Sequence, residues 1–153
     1  QATDVPLGEF IEVQNVNVTA PFTLVTKLKP LMSKLRDCDK WIINVSSMEG
    51  QFYKKFKNTT HPHTNMAKAS LNMLTRTCGA YYAVDRIWMN SVDTGWVTFE
   101  NPLRSVKYII KAKTVPLDED DGASRVLDPI FAGVTTGFNA HSQFYKDYKS
   151  VLW

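Results

Sequence analysis

Residues 41–74, WIINVSSMEGQFYKKFKNTTHPHTNMAKASLNML, decide how this chain reads. Residues 41–45 are apolar and rich in β-branched side chains, the pattern of a strand buried on both faces. Ser46 and Ser47 end that run, and a polar loop follows with Gly50, the lysines Lys54, Lys55 and Lys57, and a Thr-Thr-His-Pro turn. A helix is predicted to start near His63 or Thr64, with Ala67, Leu71, Leu74 and Cys78 on its buried face. Strand, loop and helix in that order bring Ser46, Ser47, His61, His63, Thr64 and Lys68 near the carboxyl end of a buried strand. Open α/β sheets bind their ligands there.

Toward the amino terminus, residues 1–8 read as an irregular lead-in. Val13, Ala20, Leu24, Leu28 and Leu31 then recur near helical spacing from Glu9 to about Leu35, and Asn17 shares their face. An unpaired buried amide costs roughly 1–3 kcal/mol, so Asn17 is expected to bridge helix and strand backbones. Pro21 predicts a kink or a displaced hydrogen bond inside that helix. Residues 36–40 form a charged connection.

Toward the carboxyl terminus, Gly79 reads as a break or slight irregularity in the lysine-bearing helix. Residues 87–92 are a second strand, followed by the tight glycine turn DTGW at 93–96. Residues 101–116 are polar and basic with a short helical tendency. Residues 118–131 form a helix capped by Asp118, with acids in its first turn and Gly133 as its stop. The last strand is expected at 142–145, with KDYKSVLW as a tail. Helix and strand alternate throughout, which argues for an α/β parallel sheet.

Composition bounds the function. The chain has 153 residues, enough for one ordinary domain, and no apolar run of membrane-spanning length. Lys and Arg number 18 against 15 Asp and Glu, too small a surplus to argue for nucleic acid. Cys38 and Cys78 lack zinc-site spacing and read as free thiols of a reducing, intracellular compartment, cytoplasmic or mitochondrial. The sequons at Asn17, Asn44 and Asn58 read as chance, because Asn17 falls in a helix and Asn44 inside a buried strand. The His61/His63 pair has only His141 as a further histidine and no supporting acid, so no metal site is expected. Neither do the acids at 118–121 have calcium-loop spacing. The start at Gln1 fits a processed organelle protein and a cut fragment alike.

Five segments in order then carry a resemblance: VQNVNVTAPF at 13–22, WIINVSS at 41–47, TNMAKASLNMLTR at 64–76, MNSVDTGWV at 89–97 and DGASRVLDPIF at 121–131. Together they resemble the carboxy-terminal half of a short-chain dehydrogenase/reductase, of a divergent branch with HPHTNMAK around the lysine. The resemblance implies a single partial Rossmann-like domain over 1–153, half of a doubly wound parallel sheet. Its strands would be 41–45, 87–92 and 142–145, with flanking helices.

In that family a tyrosine moves the substrate hydroxyl proton while a nicotinamide moves a hydride. A lysine one helical turn later lowers the phenol pKa and bonds the nicotinamide ribose. A serine bonds the substrate oxygen, and an asparagine holds a relay water. The resemblance puts Asn17, Ser47 and Lys68 at these inherited positions, and Lys68, Thr94, Gly95 and Thr98 at the cofactor. Thr64, not tyrosine, stands four residues before Lys68. A threonine hydroxyl is a far weaker acid than a phenol and does not readily take over its proton transfer.

The family's phosphate-binding glycine turn belongs to a first βα unit upstream of residue 1, and no glycines here have that spacing. The resemblance therefore implies no cofactor for this chain alone, and NAD(P) when the missing half is present. It also leaves the 41–45 edge open, to be covered by another chain, a cleaved amino-terminal piece or a repacked partner. The function implied is a non-catalytic structural or accessory subunit of a larger, organellar assembly. The alternatives are the carboxy-terminal part of an NAD(P)-dependent oxidoreductase acting on a hydroxyl or carbonyl, and a small-molecule binding module using the old cleft.

Overall fold

A computed structural model describes residues 1–97 and 115–153. Helix α1 (Leu7–Gln14), a π turn (Asn15–Thr19) and helix α2 (Ala20–Met32) follow one another without leaving helical geometry. Strand β1 (Lys40–Ser46) comes next, then a short 3-10 turn at Met48–Gly50 and helix α3 (Pro62–Ala83). Strand β2 (Ile87–Asp93), helix α4 (Glu119–Thr136) and strands β3 (Phe144–Lys146) and β4 (Lys149–Val151) complete the described elements.

The strands form one sheet in the order β1-β2-β3-β4, parallel from β1 to β3, with β4 antiparallel. This is an open mixed α/β sheet of Rossmann-like type. Its register sets Ser46 beside Asp93 and Asp93 beside Lys146, so the three strands end level at their carboxyl ends. Side chains alternate across a strand, and the contacts show where each face goes. Asn44 and Ser46 bond Thr75 and Asn72 of α3, while a Cβ on Gly133 of α4 would lie 3.2 Å from Trp41. Helices therefore cover both faces.

The tail expected after residue 145 is instead a hairpin. Asp147 and Tyr148 connect β3 to β4 with φ of 48° and 63°, a two-residue loop of the primed type whose twist suits antiparallel strands. Aspartate tolerates the left-handed region, but Asp-Tyr lacks the glycine that usually signals such a turn. Strand β3 also starts later than expected, because Ser142 is left-handed at φ 56°.

Pro21 acts as predicted, through displacement. The amide of Ala20 donates to Asn15 O, five residues back, and the π turn absorbs the misfit just ahead of the proline. Asn17 lies in that turn and donates to Val13 O at 3.2 Å, so it serves its own helix and does not bridge to a strand. The buried stripe is a second correction. Val25 is buried, with Val13, Val18, Pro21 and Met32 half-buried, whereas Leu24, Leu28 and Leu31 are exposed. The helix has two apolar faces, and the leucine face is uncovered among the described residues.

Val25, Tyr82, Ile87 and Met89 form the buried core, with Ile42, Leu74 and Cys78 packed against it. The Tyr82 hydroxyl donates to Val25 O at 3.0 Å, and burial pushes the Cys78 thiol above its usual range. Gly79 breaks nothing; a Cβ there would come within 2.2 Å of Ser142 Oγ, so α3 passes close to the β3 approach. Asp118 caps α4 with Asp121 in a reciprocal capping box. The helix runs past Gly133, a buried packing residue, and ends at Gly137 with φ 72°.

Candidate functional site

The level carboxyl ends of β1 and β2 open onto a cleft of about 860 Å³. Seven positions singled out in the sequence line it: Ser46, Ser47, His61, Thr64, Lys68, Thr94 and Gly95. Asn17 is not among the lining residues, and Thr98 lies outside the described residues.

Ser46 and Ser47 part company because strand side chains alternate. The Ser46 hydroxyl is buried and donates to Asn72 Oδ1 of α3, a structural bond. Ser47 caps the 3-10 turn, its oxygen accepting the Glu49 amide at 3.1 Å, and it keeps its own proton to donate. Lys68 lies one turn after Thr64 on α3, and its ammonium donates to Val45 O at 3.0 Å. Thr64 Oγ1 donates to His61 O at 2.9 Å. The threonine hydroxyl thus closes the first turn of its own helix.

His61 and His63 diverge. His61 enters α3 in the left-handed region and lines the cleft. His63 is buried away from it, with Nε2 3.0 Å from Glu9 Oε1 on α1. The lysine loop also departs from a solvated face. Lys54 bonds Glu49 at 2.9 Å, while Lys57 lies 3.8 Å from the same carboxylate and is pushed below its usual pKa by burial.

The Lys54 hydrogen bond, foremost, holds Glu49 below its ordinary carboxylate range. A carboxylate depressed in the folded state stabilises above its unfolded pKa and loses that contribution as pH falls through the folded value. We expect the clamp on the loop to persist at neutral pH and to open only as pH falls below the ordinary carboxylate range. Amide exchange across residues 49–57, corrected for the intrinsic pH dependence, should rise there.

Two residues that sequence reasoning missed hold the cleft together. Asp93 is buried, and its carboxylate accepts the amides of Met48 at 2.8 Å and Gly95 at 2.7 Å, with Lys146 Nζ at 3.7 Å. It ties the turn after β1 to the turn after β2. Asp93→Asn turns an amide group against one of those donors and should destabilise the protein by about 2 kcal/mol, read as a lower urea midpoint. Its only sequence signal was an acid closing an otherwise apolar strand ahead of Thr-Gly. Gly50 is the second: a Cβ there would lie 2.6 Å from the Lys68 carbonyl carbon and 2.8 Å from the Ala69 nitrogen. The turn that follows Ser47 rests directly on the backbone that carries Lys68.

Known proteins share the sequence pattern and the fold. A family model described as enoyl-(acyl carrier protein) reductase matches residues 1–111. The chain is 34% identical to an uncharacterized protein of Acanthamoeba polyphaga mimivirus, over 80% of this chain and 27% of that one. Among solved structures, an NADPH-bound carbonyl reductase from chicken fatty liver superposes on 100% of this chain and 60% of its own, at TM-score 0.70 and 21% identity. The carbonyl reductase Sniffer of D. melanogaster does so with the same coverage and TM-score at 20% identity. The chain thus spans about a quarter of its viral relative and about three fifths of these reductases. With a family model matched over most of its length and a fold shared with these reductases, the chain belongs to the short-chain dehydrogenase/reductase family.

Proposed function

We propose that this chain is a non-catalytic, accessory form of the dehydrogenase cleft, serving within a larger assembly. One observation carries the reading: Thr64 stands one turn before Lys68, where the family's phenol would stand, and its hydroxyl is committed to His61 O. No described residue lining the cleft is a tyrosine; Tyr53 is 72% exposed and lies outside it. A lysine beside a phenol makes the phenol a stronger acid, but beside a threonine hydroxyl it leaves a group still far too weak to exchange protons near neutral pH.

The cleft fits one end of a dinucleotide. Lys68, Thr94 and Gly95 would hold the nicotinamide and its ribose, whose chemistry is hydride transfer. Among the described residues no glycine-rich turn leads into a helix to cradle the pyrophosphate, so that end would be held by polypeptide outside them.

The sheet edge supports an assembly. Strand β1 pairs with β2 on one side and has no strand partner on the other among the described residues, and Val45 there is 46% exposed. An apolar strand with an unpaired ladder is a template for another strand. In this reading a further polypeptide supplies that strand, in a reducing intracellular compartment such as the mitochondrion. Native mass spectrometry of the full-length protein should show a stoichiometric partner, with the β1 amides protected from exchange. A well-behaved monomer with exchanging β1 amides would overturn it.

The second reading, a working NAD(P)-dependent oxidoreductase acting on a hydroxyl or carbonyl, is favoured by the gathering of Ser47, Lys68, Thr94 and Gly95 in one cleft. The two diverge on turnover. The first gives none with NADH or NADPH, and the second gives turnover that Lys68→Ala abolishes.

A further inference from the structure

The loop that leaves Ser47 interleaves exposed aromatics with lysines. Phe52, Tyr53 and Phe56 are 82%, 72% and 75% exposed, and Lys54, Lys55 and Lys57 alternate with them. Exposed apolar side chains elsewhere are mostly residues of helices, such as Leu24 and Leu28. Residues 51–57 belong to no helix or strand, so this segment offers a protein partner neither a helix face nor a ladder edge.

It is nevertheless fixed in place. Tyr53 N donates to Trp153 O at 3.1 Å and Gln51 Nε2 to Leu152 O at 2.7 Å, which sets Leu152, itself 59% exposed, beside the aromatics. Those bonds pin the loop to the β4 end of the sheet, at the opposite edge from β1. The charge has one sign in excess. Glu49 is shared by Lys54 and Lys57, leaving one carboxylate against three ammonium groups.

Aromatic rings seat at the headgroup level of a bilayer, and lysine stems cross apolar surface while their ammonium groups reach anionic headgroups. We propose that residues 51–57, with Leu152, are a peripheral docking surface for anionic phospholipid bilayers. The charge selects the occupant: an apolar patch with three lysines against one carboxylate, Lys55 exposed beside it, complements an anionic interface, and no helix of the described residues is long and apolar enough to cross a membrane. Docking would bring the cleft mouth, which Met48, Glu49 and Asn58 line from the same loop, to the bilayer surface. The inference stands whether or not the cleft performs chemistry.

Co-sedimentation of the full-length protein with vesicles tests it, using phosphatidylcholine alone and phosphatidylcholine mixed with phosphatidylserine. Binding is expected to the phosphatidylserine vesicles only and should weaken as salt rises. The double variant Phe52→Ser/Phe56→Ser should lose about tenfold in partitioning or more, and Lys55→Glu about tenfold. All three side chains are exposed, so the melting temperatures should not move. Absent or equal binding to the two vesicles, or variants that partition like the parent, would overturn the proposal. Capture by soluble polyglutamate that is indifferent to the phenylalanine pair would also overturn it, in favour of an acidic protein partner.

Discussion

Thr75→Val should destabilise the protein by about 3 kcal/mol although it removes no volume, because it strands two buried polar groups at about 1–3 kcal/mol each. Thr75 is fully buried on α3. Its oxygen accepts from Asn44 Nδ2 of β1 at 2.8 Å and lies 2.7 Å from Ser91 Oγ of β2, while its proton goes to Leu71 O at 3.1 Å. A hydroxyl has one proton and two lone pairs, so with the proton on Leu71 O the Ser91 hydroxyl must donate. Valine keeps the shape and accepts nothing. A partner paid for by neither water nor protein is the expensive case. For a chain of this length the melting temperature should fall by about 6–12 °C, measurable by calorimetry.

Gly50→Ala should be nearly as damaging, about 2–3 kcal/mol, with a different signature. The added methyl meets main chain at Lys68 and Ala69, which cannot rotate away, so the turn after Ser47 must lift off α3. Thr75→Val weakens the whole interface between α3 and the sheet but leaves the cleft's geometry alone. Gly50→Ala separates Ser47 from Lys68. Chemical shifts of residues 47–51 and 64–69 should move together in this variant, and any ligand affinity of the cleft should fall further than stability alone accounts for.

The strands at 41–45 and 87–92 were legible because parallel strands covered on both faces are written as apolar runs, and α3 because Ala67 and Leu71 keep the helical period. Asp118 was legible as a cap because its partner, Asp121, is local. What failed needed tertiary information. The leucine stripe of α2 is the stronger periodic signal, yet the sheet takes the neighbouring face bearing Val25. Gly133 looks like a helix stop until Trp41 and Asn139 are seen against it. The hairpin at Asp147-Tyr148 uses left-handed geometry without the glycine that announces it.

The site divides the same way. Ser47, Thr64, Lys68, Thr94 and Gly95 could be gathered by order along the chain and by family resemblance, and they do line one cleft. Asp93 and Gly50 could not, since each matters through a backbone 18 or more residues away. Asn17 does lie on the expected helix, but its amide closes a bond within that helix.

Hydride transfer by the full-length protein separates a cleft without a proton carrier from a working one. Nicotinamide absorbance would be followed with NADH and NADPH against aldehydes, ketones and enoyl thioesters, for the parent and for Lys68→Ala. A cleft without a proton carrier gives no turnover above the uncatalysed rate in either protein; saturable turnover in the parent that Lys68→Ala abolishes would show that the carrier is present.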